Sequence, residues 1–134
     1  MNILEAIKTK KIYFDGGFGT MLQDMGLESG EQPAQWNIDH PDRITAIHKA
    51  YLEAGSDIVT TNTFGVNSLK FNNASEYAEA AVKCAKEAVK GYENKYIAYD
   101  IGPTGRLIKP MGNMEFEEAV SIFKECTEYA VNFG

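Results

Sequence analysis

Cysteine is scarce: the 134 residues contain two, Cys84 and Cys126. Two cysteines so far apart form neither a disulfide framework nor a close metal-binding pair, and a reduced, cytoplasmic protein is the simplest expectation. Long apolar runs are missing too. No stretch approaches the roughly 18 residues that a membrane helix needs. The opening MNILEAIKTKK lacks the apolar core and cleavage pattern of a secretion signal. Positive charge is in deficit, with 13 Lys and Arg against 19 Asp and Glu and a net charge of −6. The basic residues are scattered, Lys8, Lys10 and Lys11 being the densest group, so no basic stripe is available to follow a nucleic-acid backbone. Membrane and nucleic acid are therefore not expected as partners.

What the chain does have is alternation. Asn2 to Thr9 reads as a short helix capped by Asn2, with Ile3, Leu4 and Ile7 on one side. Ile12 to Asp15 is a brief apolar run before Gly16-Gly17 and reads as a buried strand. Thr20 to Asp24 suits one helical turn stopped by Gly26, and the polar stretch Leu27 to Asp39 reads as a long loop. A helix follows from Pro41, a residue suited to a first helical turn, with Ile44, Ile47, His48, Tyr51 and Leu52 at helical spacing up to Gly55. Asp57 to Thr61 is β-branched and short, a strand. Ser75 to Gly91 is a second strong helix with Tyr77, Ala81, Cys84, Ala85 and Ala88 as its stripe. Tyr96 to Ile101 is a third strand, residues 106–114 are loop, and Glu115 to Asn132 is a helix presenting Phe116, Ala119, Phe123, Cys126 and Ala130.

Strand followed by helix, three times at intervals of roughly 40 residues, argues for a parallel sheet with right-handed crossovers. Either an open doubly wound sheet or part of a (β/α)₈ barrel fits. A complete barrel takes about 250 residues, and the chain ends after a helix, where such a series would continue with a strand.

Both architectures place function at the C-terminal ends of the strands. Those ends read Asp15-Gly16-Gly17-Phe18-Gly19-Thr20, Asn62-Thr63-Phe64-Gly65 and Asp100-Ile101-Gly102-Pro103-Thr104-Gly105. In the first, glycines permit close approach of a ligand to the backbone, and free N–H groups there would favour a carboxylate or phosphate. Asp15 beside them could hold an ammonium group, and the two together suggest an α-amino acid. A tight turn capped by Asp15 explains the same residues, and taken alone it is the stronger explanation. The third glycine of a dinucleotide fingerprint is lacking. Asn62 and Thr63 suit a polar ligand and Phe64 a pocket wall, or equally a turn with Phe64 in the core. Asp100 suits an acid, a base or an orienting group, with a backbone-capping role the stronger alternative. His48 lies on an outer helix and reads as structural, His40 as the end of the loop. Cys84 and Cys126 read as small hydrophobes, and Glu115, Glu117 and Glu118 as a solvated helix start.

Three segments, DGGFGTMLQ (15–23), HPDRITAIHKAYLEAGSDIVTTNTFGVN (40–67) and DIGPTG (100–105), resemble the homocysteine S-methyltransferase family. Their likeness is greatest to its cobalamin-dependent methionine synthase branch. They occur in the family's order and at about its spacing. The resemblance implies that residues 1–134 are the N-terminal portion of a homocysteine-binding methyltransferase domain. That portion would be the first three βα units of a (β/α)₈ TIM barrel, incomplete in this chain. It implies homocysteine as substrate, activated as a zinc thiolate, and methylcobalamin as methyl donor. It further implies that Asp15, Gly16, Gly17 and Phe18 meet the amino and carboxylate groups of homocysteine, while Asn62, Thr63, Phe64 and Asp100 line the same pocket. The family's zinc ligands are three cysteines on later strands, and neither Cys84 nor Cys126 matches them, so no metal ligand is expected here. The chain alone is then expected to be inactive and to need the remaining barrel half or a cobalamin-binding module. The alternative is an amino-acid-binding or self-associating fragment without catalysis, its open sheet edges closing in a homo-oligomer.

Overall fold

The computed structural model describes residues 1–134. Its elements are α1 (Ile3–Thr9), α2 (Gly19–Asp24), a 3₁₀ turn (Pro33–Gln35), α3 (Trp36–Asp39), α4 (Pro41–Glu53), β1 (Ile58–Thr60), α5 (Ala74–Val89), β2 (Tyr96–Ala98) and α6 (Phe116–Phe133). No helix is long and apolar enough to cross a membrane.

The sheet is parallel and small. Ile58, Val59 and Thr60 of β1 stand opposite Tyr96, Ile97 and Ala98 of β2. The strand expected at 12–15 is a correction. It is reduced to a single bridge, Phe14 to Ile58, with Ile58 N–H donating to the Tyr13 carbonyl at 3.1 Å and Asp15 N–H to the Ile58 carbonyl at 3.0 Å. Nor is the segment buried, because Tyr13 and Phe14 are 60% and 61% exposed. The segment borders the sheet with nothing paired beyond it, and Phe14 falls on the face opposite α4 and α5.

Alternation along the strands divides the two faces. Val59 packs with Leu52, Ala85 and Ala88 against the helices, and Ile97 joins them. Ile58, Tyr96 and Ala98 turn the other way, and with Ile3 and Phe14 they line an apolar groove of about 500 Å³. On the covered side α5 is central. Ala78, Ala81, Ala85 and Ala88 are fully buried, and their small side chains let α4, α6 and the sheet approach it together. The stripe read from the sequence, Tyr77 through Ala88, is the buried face.

Elsewhere tertiary packing overrides local pattern. The stretch 27–39, read as loop, contains the 3₁₀ turn and α3. Trp36 is the cause: it packs with Leu22, Ile44, Ile47 and Cys84, under the Arg43 guanidinium 4.9 Å from its ring centre. Burying that indole removes more apolar surface from water than the segment's polar residues resist. The expected α6 face is shifted: Ala119, Ile122, Cys126 and Tyr129 are buried, whereas Phe116 and Phe123 are exposed. In α1 the Asn2–Glu5 capping box forms, yet Leu4 and Ile7 face solvent and Ala6 is the buried residue. Within 106–114, Ile108 and Met114 form a further bridge.

Asp57, just before β1, ties the N-terminal segment to the sheet. Its carboxylate accepts from Lys10 Nζ at 2.9 Å and Tyr13 N–H at 3.1 Å, with Lys95 Nζ 3.5 Å away. The Lys10 hydrogen bond, then that of Tyr13, holds its pKa below the ordinary 3.8. A depressed carboxyl pKa stabilises the fold above the unfolded value, and the benefit disappears as pH falls through the folded one. Asp57→Asn should therefore lower the melting temperature at neutral pH and flatten its decline in strong acid, as read by thermal unfolding along a pH series.

Candidate functional site

The loops after the first bridge, β1 and β2 converge on one cleft of about 420 Å³. Asp15, Gly16, Phe18, Asn62, Phe64 and Asp100 all line it, joined by Thr60, Thr61 and Pro33. Of the residues expected at the site, Gly17 and Thr63 are not in its wall.

Asp15 does not cap its own turn. Its Oδ2 accepts from Thr60 N–H at 2.8 Å and its Oδ1 from the Thr60 hydroxyl at 2.7 Å. The side chain thus continues toward β1 the pairing that the backbone abandons after Phe14. Gly16, Gly17 and Phe18 follow, and none of their N–H groups has an acceptor within the chain. Gly16 lies close against Tyr51: a Cβ there would sit 3.2 Å from the hydroxyl oxygen, so the ring would have to give by a few tenths of an ångström.

Thr63 is 1% exposed. Its hydroxyl donates to the Asp100 carbonyl at 2.7 Å and lies 2.7 Å from the Thr61 hydroxyl, which accepts from Asp100 N–H at 3.1 Å. These bonds fasten the end of β1 to the end of β2. Gly102 completes the junction: a Cβ there would stand 1.9 Å from the Phe64 carbonyl oxygen. Asn62 is likewise committed, donating through Nδ2 to the Pro33 carbonyl and to Asn37 Oδ1, both at 2.9 Å, while Asn37 Nδ2 returns a bond to the Asn62 carbonyl. Phe64 is 61% exposed over the cleft, so the core placement is excluded. Burial, then the Asp15 charge, raises the pKa of Asp100 above its ordinary value. A cation held between these two carboxylates would relieve that repulsion.

Thr60, Asn37 and Tyr51 were not singled out from sequence. Thr60 reads only as one more β-branched strand residue. Asn37 lies in a polar stretch with no sign that it is 2% exposed. A larger groove, about 1100 Å³, runs between α4 and α5. It lies away from the strand ends, and three of its four lysines are engaged: Lys83 by Glu79, Lys90 by Glu87, Lys86 by the Phe133 carbonyl. The chemistry-bearing groups are in the smaller cleft.

No three His, Cys, Asp or Glu side chains come together as a metal site. Cys84 Sγ points to the Pro41 carbonyl and Cys126 Sγ to the Val66 carbonyl, both at 3.6 Å, and burial raises both thiol pKa values. Inert, buried thiols of this kind do not suit zinc, which binds the thiolate.

Comparison with known proteins gives a consistent result. The family model described as homocysteine S-methyltransferase matches residues 12–134. A methionine synthase from Mycobacterium leprae is 29% identical over 92% of this chain, which spans 12% of that protein's length. The homocysteine methyltransferase MmuM from Escherichia coli shares the fold. Its metallated form superposes with a TM-score of 0.81 at 16% identity, over 97% of this chain and 53% of its own. Its oxidised form gives 0.83 at 19%, over 100% and 54%.

Beneath the glycine turn lies His48, fully buried, its ring 5.2 Å from that of Phe18. Neither ring nitrogen has a hydrogen-bond partner. Burial lowers its pKa from 6.5 to about 4, against a smaller upward pull from Asp15. The unfolded ring therefore takes up a proton before the folded one can, and stability should fall as pH drops from 6.5 to about 4, by on the order of 3 kcal/mol in full. Urea unfolding across this window should show that slope, and His48→Leu should remove it.

Proposed function

The chain belongs to the homocysteine S-methyltransferase family, and from that premise we propose that its cleft holds the amino-acid end of homocysteine for methyl transfer to the sulfur. One observation carries this reading. A run of unbonded N–H groups, Gly16 to Phe18, lies beside two carboxylates, Asp15 and Asp100, at the ends of parallel strands. The N–H groups suit the homocysteine carboxylate. The ammonium group sits between Asp15 and Asp100, and Phe64 walls the cleft. Thr63 and Asn62 act by fixing the loops rather than by donating to the ligand.

In this reading residues 1–134 are the opening βα units of a (β/α)₈ barrel in a cytoplasmic enzyme that yields methionine. Zinc supplies a nucleophilic thiolate in such an enzyme. No ligand set for it exists among these residues, so we assign activation of the sulfur to the remaining barrel half. Methylcobalamin, as methyl donor, belongs with a separate cobalamin-binding module. The isolated chain recognises the amino acid and does not turn it over.

Asp15→Asn is the informative substitution, because an amide keeps one acceptor and gains one donor for Thr60 while losing the charge. Calorimetric titration with L-homocysteine should show saturable binding to the unaltered chain. The Asn variant should bind roughly tenfold more weakly, the scale of a charge-assisted hydrogen bond. Equal affinity would remove Asp15 from the ammonium site.

A further inference from the structure

The geometry points to Tyr51, on the outer helix α4, as a positioning residue that aims the Phe18 N–H into the cleft. This rests on the amino-acid reading of the site and extends it to a side chain outside the cleft wall. The Tyr51 hydroxyl donates to the Gly17 carbonyl. Its ring packs on Gly16, where a Cβ would meet Oη at 3.2 Å and Cε1 at 3.3 Å. The Gly17–Phe18 peptide is trans, since the chain's one cis bond is Lys109–Pro110. In a trans unit the C=O and N–H point in opposite directions. Drawing the Gly17 carbonyl toward α4 therefore turns the Phe18 N–H away from α4, to the side where Gly16, Phe18 and Asp100 line the cleft.

Neither the carbonyl nor the N–H of that peptide has any other hydrogen-bond partner in the chain. Gly17 has an open steric environment apart from the Thr20 hydroxyl at 3.4 Å, and two successive glycines leave the turn free to rotate. Phe18 is anchored through its ring, which packs on His48 and against the cluster of Leu22, Trp36, Ile44 and Ile47. The ring holds the residue in place, and the Tyr51 hydroxyl sets the direction of the amide. Tyr51 would thus select for a ligand carboxylate without touching the ligand.

The test is calorimetric titration of the whole chain and of Tyr51→Phe with two probes: L-homocysteine, and 3-aminopropane-1-thiol, which is homocysteine without its carboxylate. Tyr51→Phe keeps the ring and loses the hydroxyl. It should bind homocysteine about fivefold more weakly, the effect of one neutral hydrogen bond, with unchanged affinity for the aminothiol. Tyr51→Leu, which removes the hydroxyl together with the ring, should give the same selective loss for homocysteine over the aminothiol and supplies the test if Tyr51→Phe does not fold. Equal weakening for both probes would mean general loosening of the site and would overturn the proposal, as would no change for either. Failure of the unaltered chain to bind homocysteine would instead remove the amino-acid reading, and this inference with it.

Discussion

The bidentate bond between Asp15 and Thr60 is the constraint on which the site depends. The chain entering β1 pairs with the N-terminal segment through one bridge, too little to fix a strand. Two carboxylates reach across the gap. Asp57 reaches back to Lys10 and Tyr13, and Asp15 reaches forward to both polar groups of Thr60. The bridge sits between them. A segment without its own ladder is thereby held in register, and the glycine turn begins from a fixed point. The same carboxylate faces the cleft, so the group that builds the site also charges it.

The ends of β1 and β2 are joined by a different chemistry. Thr61, Thr63 and the backbone of Asp100 form a closed set of short bonds in a buried place. Buried hydroxyls must find partners, and here the partners lie across the junction of two strands. Gly102 lets the Phe64 backbone come close enough to complete it. Rigid elements beneath flexible turns are what a binding site needs, and both are present: threonines below, glycines above.

Much of this was legible beforehand. The helical spacing of α4 and α5 and the position of β1 could be read directly, because a periodic pattern encodes which face is buried. The turns that meet at the cleft could be found because small and polar residues follow apolar runs there. What escaped detection depended on partners distant in sequence. Trp36 organises a stretch that is polar by composition. Phe116 and Phe123 look like core in α6, yet the helix is rotated so that Ile122 and Tyr129 take that place. The roles of Thr63 and Asn62 were legible as position but not as chemistry, since a hydroxyl or amide that binds a ligand and one that bonds a neighbouring loop are the same residue in a sequence.

Each strand-end junction joins residues separated by a similar length of chain: 45 positions for Asp15–Thr60 and 37 for Thr63–Asp100. Loop-closure entropy grows only with the logarithm of length, so the seams cost nearly the same to close. The first and third units also touch, through Tyr96 Oη donating to the Met1 carbonyl and Ala34 sharing a core cluster with Tyr129, so the seams close around one common packing. The glycine turn draws its fixed point from the unit after it, and the turn after β1 is clasped from both sides. Ligand-bearing turns of this design keep their shape only while both neighbours are docked, so undocking of one terminal unit would erase half of the cleft before the helices beneath it begin to melt.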